Sequence, residues 1–148
     1  MRFSVLRVLV LACFTVIAID GFAQEKQYKV AAVGFYNLEN LFDTINDPNK
    51  NDEDFLPTGS YHYTGEVYQE KLSHLSGVIA DLATELTPDG VAMLGVSEIE
   101  NRLVLEDLVK QPSLAKRGYK IIHHDSPDAR GVDVGFIYQP KYFTVLGS

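Results

Sequence analysis

Apolar positions in this chain gather into short uninterrupted runs, and each run stops at a cluster of polar residues. Val30-Ala31-Ala32-Val33-Gly34-Phe35-Tyr36 gives way to Asn37-Leu38-Glu39-Asn40, and Val91-Ala92-Met93-Leu94-Gly95-Val96 gives way to Ser97-Glu98-Ile99-Glu100-Asn101. A continuous apolar run bounded by polar residues predicts a strand buried on both faces, so strands are expected over 27–37 and 91–96. Between them Leu72, Leu75, Val78, Ile79, Leu82 and Leu86 recur at helical spacing and make one apolar stripe, which predicts a helix over 68–86. Thr64 is placed to cap its start, and Thr87-Pro88-Asp89-Gly90 to stop it. The order is therefore strand, helix, strand.

Downstream, Asn101 reads as the N-cap of a helix over 102–110, with Leu103, Leu105 and Leu108 as core contacts. Residues 118–123 predict a further strand and residues 132–138 a clear one, ended by Gln139-Pro140; residues 143–146 start another. Strands outnumber helices, and the helices are expected to cover a sheet. The stretch 44–60 is rich in Asn, Asp and Pro and predicts a solvated loop. Asp47, Asn49 and Asn51 alternate there as in an EF-hand. That reading fails, because the sixth position is Asp52 rather than Gly and the twelfth is Thr58 rather than Glu. His74 lies off the helical stripe and is expected to be exposed.

The N-terminus stands apart. Arg2 and Arg7 flank an apolar block from Val8 to Ile19, and Gly21-Phe22-Ala23 sets small residues at −3 and −1 of a cleavage site. This is the layout of a secretory signal peptide over 1–23, and the block is too short to span a bilayer comfortably. The expected mature domain is 24–148, secreted or periplasmic, with no stable membrane span. Its only cysteine, Cys13, lies in the signal peptide, so no disulfide holds the domain. The formal charge of −7 becomes −8 once Arg2, Arg7 and Asp20 are removed. An acidic surface argues against tight non-specific binding to nucleic acid, yet leaves open a phosphodiester substrate reached through a cation.

Asn37 and Glu98 are the first candidates for chemistry. Mg²⁺ takes oxygen ligands, keeps several waters and uses one or two protein carboxylates together with a substrate phosphate. Neighbouring parallel strands would bring an amide and a carboxylate at their tips to one sheet edge. The plainer alternative is that these side chains only make turn and capping hydrogen bonds. Asp133 either orients a catalytic group or is a strand-start carboxylate. Glu39 and Glu100 are expected to face solvent or neighbouring loops, and His123 and His124 to point to opposite sides of a strand.

Residues 35–43, Phe-Tyr-Asn-Leu-Glu-Asn-Leu-Phe-Asp, resemble the opening motif of secreted bacterial members of the endonuclease/exonuclease/phosphatase superfamily. Residues 94–101 resemble the second motif of that family, with Ser97 where Gln is common, and residues 125–138 the third. The resemblance implies an α/β fold built on a two-layer β-sandwich flanked by helices, a four-layer α/β/β/α arrangement of which this chain carries the N-terminal half. It implies metal-dependent phosphoester hydrolysis with Mg²⁺, or Mn²⁺ or Ca²⁺ in its place. Asn37 then corresponds to the amide at the metal and phosphate, Glu98 to the metal-ligating glutamate, and Arg130 to the block facing the substrate phosphate, with Asp133 in support. An arginine paired only with Asp125 or Asp128 is the alternative for Arg130. The Asp-x-Asn and terminal Asp-His of the family do not occur after Tyr138. Half a sandwich would leave an apolar sheet face uncovered unless a complementing C-terminal half supplied the rest.

The expected function is that of an exported Mg²⁺-dependent phosphoesterase, nuclease-like, meeting nucleic acid only transiently. The rivals are a fragment or metal-binding module without turnover, and a secreted β-rich binding domain. Nucleic acid, phospholipid head groups and sugar phosphates all remain open as substrates.

Overall fold

The computed structural model describes residues 28–148, so the expected signal peptide and the first residue of the first expected strand lie outside the described residues. Four strands and two helices follow in the order β1 (Ala32–Leu41), α1 (Gly65–Asp81), β2 (Val91–Ile99), α2 (Arg102–Lys110), β3 (Lys120–His124) and β4 (Asp133–Tyr138). They form one mixed sheet in the order β1-β2-β4-β3. β1 and β2 are parallel, joined across α1, whereas β4 runs antiparallel to both β2 and β3. The α/β class implied by the resemblance is the one observed, with one mixed four-stranded sheet and two helices; a second sheet of the expected sandwich is absent among the described residues.

Both helices begin where a polar side chain can take up a free backbone amide. Thr64 Oγ1 accepts from Val67 N at 3.4 Å, and Asn101 Oδ1 from Val104 N at 3.1 Å. α1 ends at Asp81, short of the expected Leu86. There Thr84 Oγ1 donates to the Asp81 carbonyl at 2.9 Å and Ala83 turns into the left-handed region with φ 61°, leaving Leu86 exposed. The strand expected over 143–146 is absent among the described residues. After Pro140 the chain turns instead, with Tyr142 N donating to Gln139 O at 3.0 Å.

One face of the sheet carries the core. Leu72 and Ile79 of α1, Leu105 and Leu108 of α2, Leu94 of β2 and Ile137 of β4 pack there with no exposed surface. The opposite face presents Val33, Phe35, Val134 and Phe136 in the open. Gly95 lies between two of these rings, where a Cβ would come within 2.8 Å of Phe35 and 3.3 Å of Phe136. The expectation that the first run is buried on both faces does not hold. β1 is an edge strand, and both helices lie on the other side of the sheet.

The polar segment 44–60 is less solvated than its composition suggests. Phe55, in a single 3₁₀ turn (Glu53–Phe55), stacks on buried Phe42 with ring centroids 4.0 Å apart. Asp52 is only 1% exposed, and its Oδ2 accepts from Asp47 N at 2.8 Å. One aromatic anchor thus holds a loop whose other residues are chosen for turns.

Candidate active site at the paired strand tips

β1 and β2 do not stop at their polar clusters; they run through them by bulging. Asn37 pairs with Ser97 and Leu41 with Ile99, so three residues of β1 lie between these pairs against one of β2. On the other side of β2, Ser97 pairs with Val134 and Ile99 with Asp133, which makes Glu98 the inserted residue of a β-bulge. The inserted positions are those with left-handed backbone: Glu39 at φ 52°, Asn40 at 58° and Glu98 at 55°. A non-glycine residue held there stores strain on the order of 1–3 kcal/mol, and such strain gathers at functional sites.

The bulged tip of β1 is fixed from α1. Lys71 Nζ donates to the carbonyls of both Glu39 and Asn40, the latter at 3.0 Å. Burial lowers the Lys71 pKa, and the nearby Glu39 and Glu98 carboxylates oppose that shift. Asn37 is exposed, and its Oδ1 accepts from Glu39 N at 2.9 Å, closing a turn while a second lone pair stays available. The register therefore brings Asn37 beside the Ser97-Glu98 pair, as expected of neighbouring parallel strands. Lys71 was not legible beforehand: it is one of several polar residues on an amphipathic helix.

Arg130 sits in the loop before β4, also within electrostatic reach of Glu98. Its fork is engaged by Asp128, with Nε to Oδ1 at 3.2 Å and Nη2 to Oδ2 at 2.9 Å. These hydrogen bonds hold the Asp128 carboxyl below its usual range. The aspartate pairing given as the alternative to a phosphate-facing role is thus present, through Asp128, and it leaves Nη1 outside the bidentate pair.

Asp133 does not reach the surface. It is 4% exposed, with Oδ1 accepting from Ser126 N at 2.7 Å and Oδ2 2.8 Å from His123 Nε2. Its structural work is to tie the Arg130 loop to β3. Of the two histidines, the His123 side chain is 8% exposed and His124 lies outside, as alternation requires. His123, Asp125 and Asp133 form a group whose potential metal-ligating atoms all lie within 4.8 Å of one another. The Asp133 oxygens are already committed to His123 and Ser126, so a cation there would compete with the loop's own hydrogen bonds.

Glu100, expected to face solvent or neighbouring loops, is buried against the loop that follows β1. Its Oε2 accepts from Asp43 N at 2.7 Å, and Asp43 Oδ2 in turn accepts from the Asn101 amide at 3.1 Å. It lines a cavity of about 400 Å³ together with Asp43, Asp47, Asp125, Asp133 and a single cation, Lys50. Burial first, and then the Asp43, Asp52 and Asp47 carboxylates, push its pKa up from 4.5 to about 7, against the hydrogen bond from Asp43.

The family model of the Endonuclease/Exonuclease/phosphatase family matches residues 32–148. No curated protein and no solved structure matches the chain. No helix among the described residues is long and apolar enough to cross a membrane.

Two stability measurements test this geometry. Glu98→Gly and Glu98→Ala both remove the carboxylate, but only glycine relieves the left-handed backbone. Urea denaturation should find the glycine variant more stable than the alanine variant by about 1 kcal/mol; equal stabilities would mean the φ angle costs nothing. For Glu100, the folded protein holds a proton up to about pH 7 that the unfolded chain releases near 4.5. Its contribution to stability is therefore full below the unfolded value and lost as pH rises through 7. In metal-free protein Glu100→Gln should flatten the pH profile and gain on wild type as pH rises from about 5 to about 8. A variant profile parallel to wild type would refute the shift.

Proposed function

The chain belongs to the endonuclease/exonuclease/phosphatase family, and we propose that it is an exported, Mg²⁺-dependent phosphoesterase that hydrolyses phosphodiester bonds. Family membership points to phosphoester hydrolysis and a divalent cation. The finer reading rests on one observation: Asn37 pairs with Ser97 of the parallel strand, the residue before the strained, inserted Glu98, and Arg130 lies within electrostatic reach of Glu98. An amide oxygen and a carboxylate are hard oxygen donors that leave most of an octahedral shell to water and substrate, which is the donor set Mg²⁺ favours and Mn²⁺ accepts.

In this reading Asn37 and Glu98 hold the cation. When bound, it would supply positive charge at the phosphoryl oxygens and acidify a coordinated water. Arg130 meets the phosphate with the guanidinium hydrogens left free by Asp128, a planar donor set suited to phosphate oxygens. Lys71 fixes the β1 tip so that Asn37 need not reorganise on binding, and Asp133 with His123 fixes the loop that carries Arg130. These residues orient and neutralise; the reading gives none of them a proton-transfer role. The bare face bearing Val33, Phe35, Val134 and Phe136 is where a second sheet of the family's sandwich would pack, whether contributed in cis or by a complementing half. Export follows from the signal-peptide layout of residues 1–23.

The test is hydrolysis of a chromogenic phosphodiester and of DNA with and without Mg²⁺, wild type beside Glu98→Ala. Mg²⁺-dependent turnover that falls by about 100-fold in the variant supports the reading. Equal rates in the two proteins, or no turnover in either, reject catalysis through Glu98 and favour a metal-binding module.

A further inference from the structure

Beside Arg130 a second, smaller cavity of about 210 Å³ is lined by Asn40, Asn51, Asp54, Phe55, Tyr61 and Arg130 itself. Its position is set by two tethers. Asn51 N donates to Ala129 O at 2.9 Å, which joins the polar loop to the Arg130 loop. Asn40 comes from the bulged tip of β1, so one wall is continuous with the proposed cation corner. The other wall is aromatic. Phe55 rests on buried Phe42, and Tyr61 leans on Phe55 with centroids 5.1 Å apart and planes tilted by 39°. Tyr61 is 62% exposed.

We infer that this cavity is a subsite for the planar ring of a nucleotide whose phosphate lies at Arg130. The inference rests on the phosphoesterase reading and names its substrate class: a nucleoside phosphate or nucleotide diester, rather than a sugar phosphate or lipid head group. Phe55 is stacked on Phe42 and has Tyr61 against it, so the exposed Tyr61 ring offers the π-face, and base stacking on aromatic side chains is tolerant of sequence. The Asn40 and Asn51 amides each carry a donor and an acceptor, which matches the mixed edge of a base, and the Asp54 carboxylate can accept from an exocyclic amine. Asp54 Oδ1 already accepts from Ser60 Oγ at 2.7 Å, which holds that carboxylate in place. At about 210 Å³ the cavity has room for one heteroaromatic ring. Acidic Asp54 and the single Arg130 also disfavour a second phosphate, so the ring, not further charge, is the specificity element.

The experiment is calorimetric binding to the full chain in the presence of Mg²⁺, with thymidine 5′-phosphate and ribose 5-phosphate as probes, on wild type, Tyr61→Ala, Tyr61→Phe and Arg130→Ala. The nucleotide is expected to bind about tenfold more tightly than ribose 5-phosphate. Tyr61→Ala should bring the two probes to within about twofold of each other, and Tyr61→Phe should keep the difference because it keeps the ring. Equal affinities in wild type, with both weakened in Arg130→Ala, would overturn the ring subsite and leave the phosphate site standing. Absence of binding by either probe would overturn the subsite and the phosphoesterase reading together.

Discussion

Parallel pairing of β1 and β2 obliges both polar clusters to arrive at one edge of the sheet, and the bulges decide what happens there. The register is kept on either side of the tips, Asn37 with Ser97 and Leu41 with Ile99, while Glu39, Asn40 and Glu98 between them take left-handed backbone. That conformation is unfavourable for Glu and only tolerable for Asn. It persists because Lys71 clamps the Glu39 and Asn40 carbonyls from α1, and because Leu38, Leu41 and Ile99 on either side are wholly buried. Core packing thus stabilises a polar edge that would otherwise relax.

The loops obey the same logic. Arg130 is exposed, yet its direction is set by Asp128 alongside and by buried Asp133 and His123 beneath. The segment 44–60 is polar in composition but is pinned by Phe55 on Phe42 and by the Asp52 carboxylate. The exposed groups at this edge are held by short local hydrogen bonds, Asn37 Oδ1 accepting from Glu39 N and Arg130 donating to Asp128. The carboxylates clustered around Glu100 are the exception, where burial and like charges hold a proton near neutrality.

Much of this was legible in the sequence. The helix starts at Thr64 and Asn101 follow from capping chemistry, and α2 has the expected bounds, although Leu103, expected in the core, is exposed and Val104 is buried in its place. The parallel pair with Asn37 and Glu98 at its tip follows from two apolar runs separated by a helix. Legibility failed where tertiary contacts outvote local pattern. Apolar residues in β1 were read as buried on both faces, although Val33 and Phe35 face outward. Glu100 was expected to face solvent or neighbouring loops; the bulge at Glu98 shifts the phase by one residue and turns it inward, onto the loop after β1. Lys71 and Tyr61 carried no signal at all, since a lysine on a helix and a tyrosine in a polar loop are each commonplace until the fold supplies their neighbours.

The central claim is that the strained tips form a cation corner, distinct from the His123, Asp125 and Asp133 group. Calorimetric titration of the metal-free chain with Mn²⁺ tests it most directly, using Asn37→Ala, Glu98→Gln and His123→Ala beside wild type. The account predicts a saturable site that is lost or weakened at least about tenfold in the first two variants and kept in the third. Binding that survives in Asn37→Ala and Glu98→Gln but disappears in His123→Ala would contradict it.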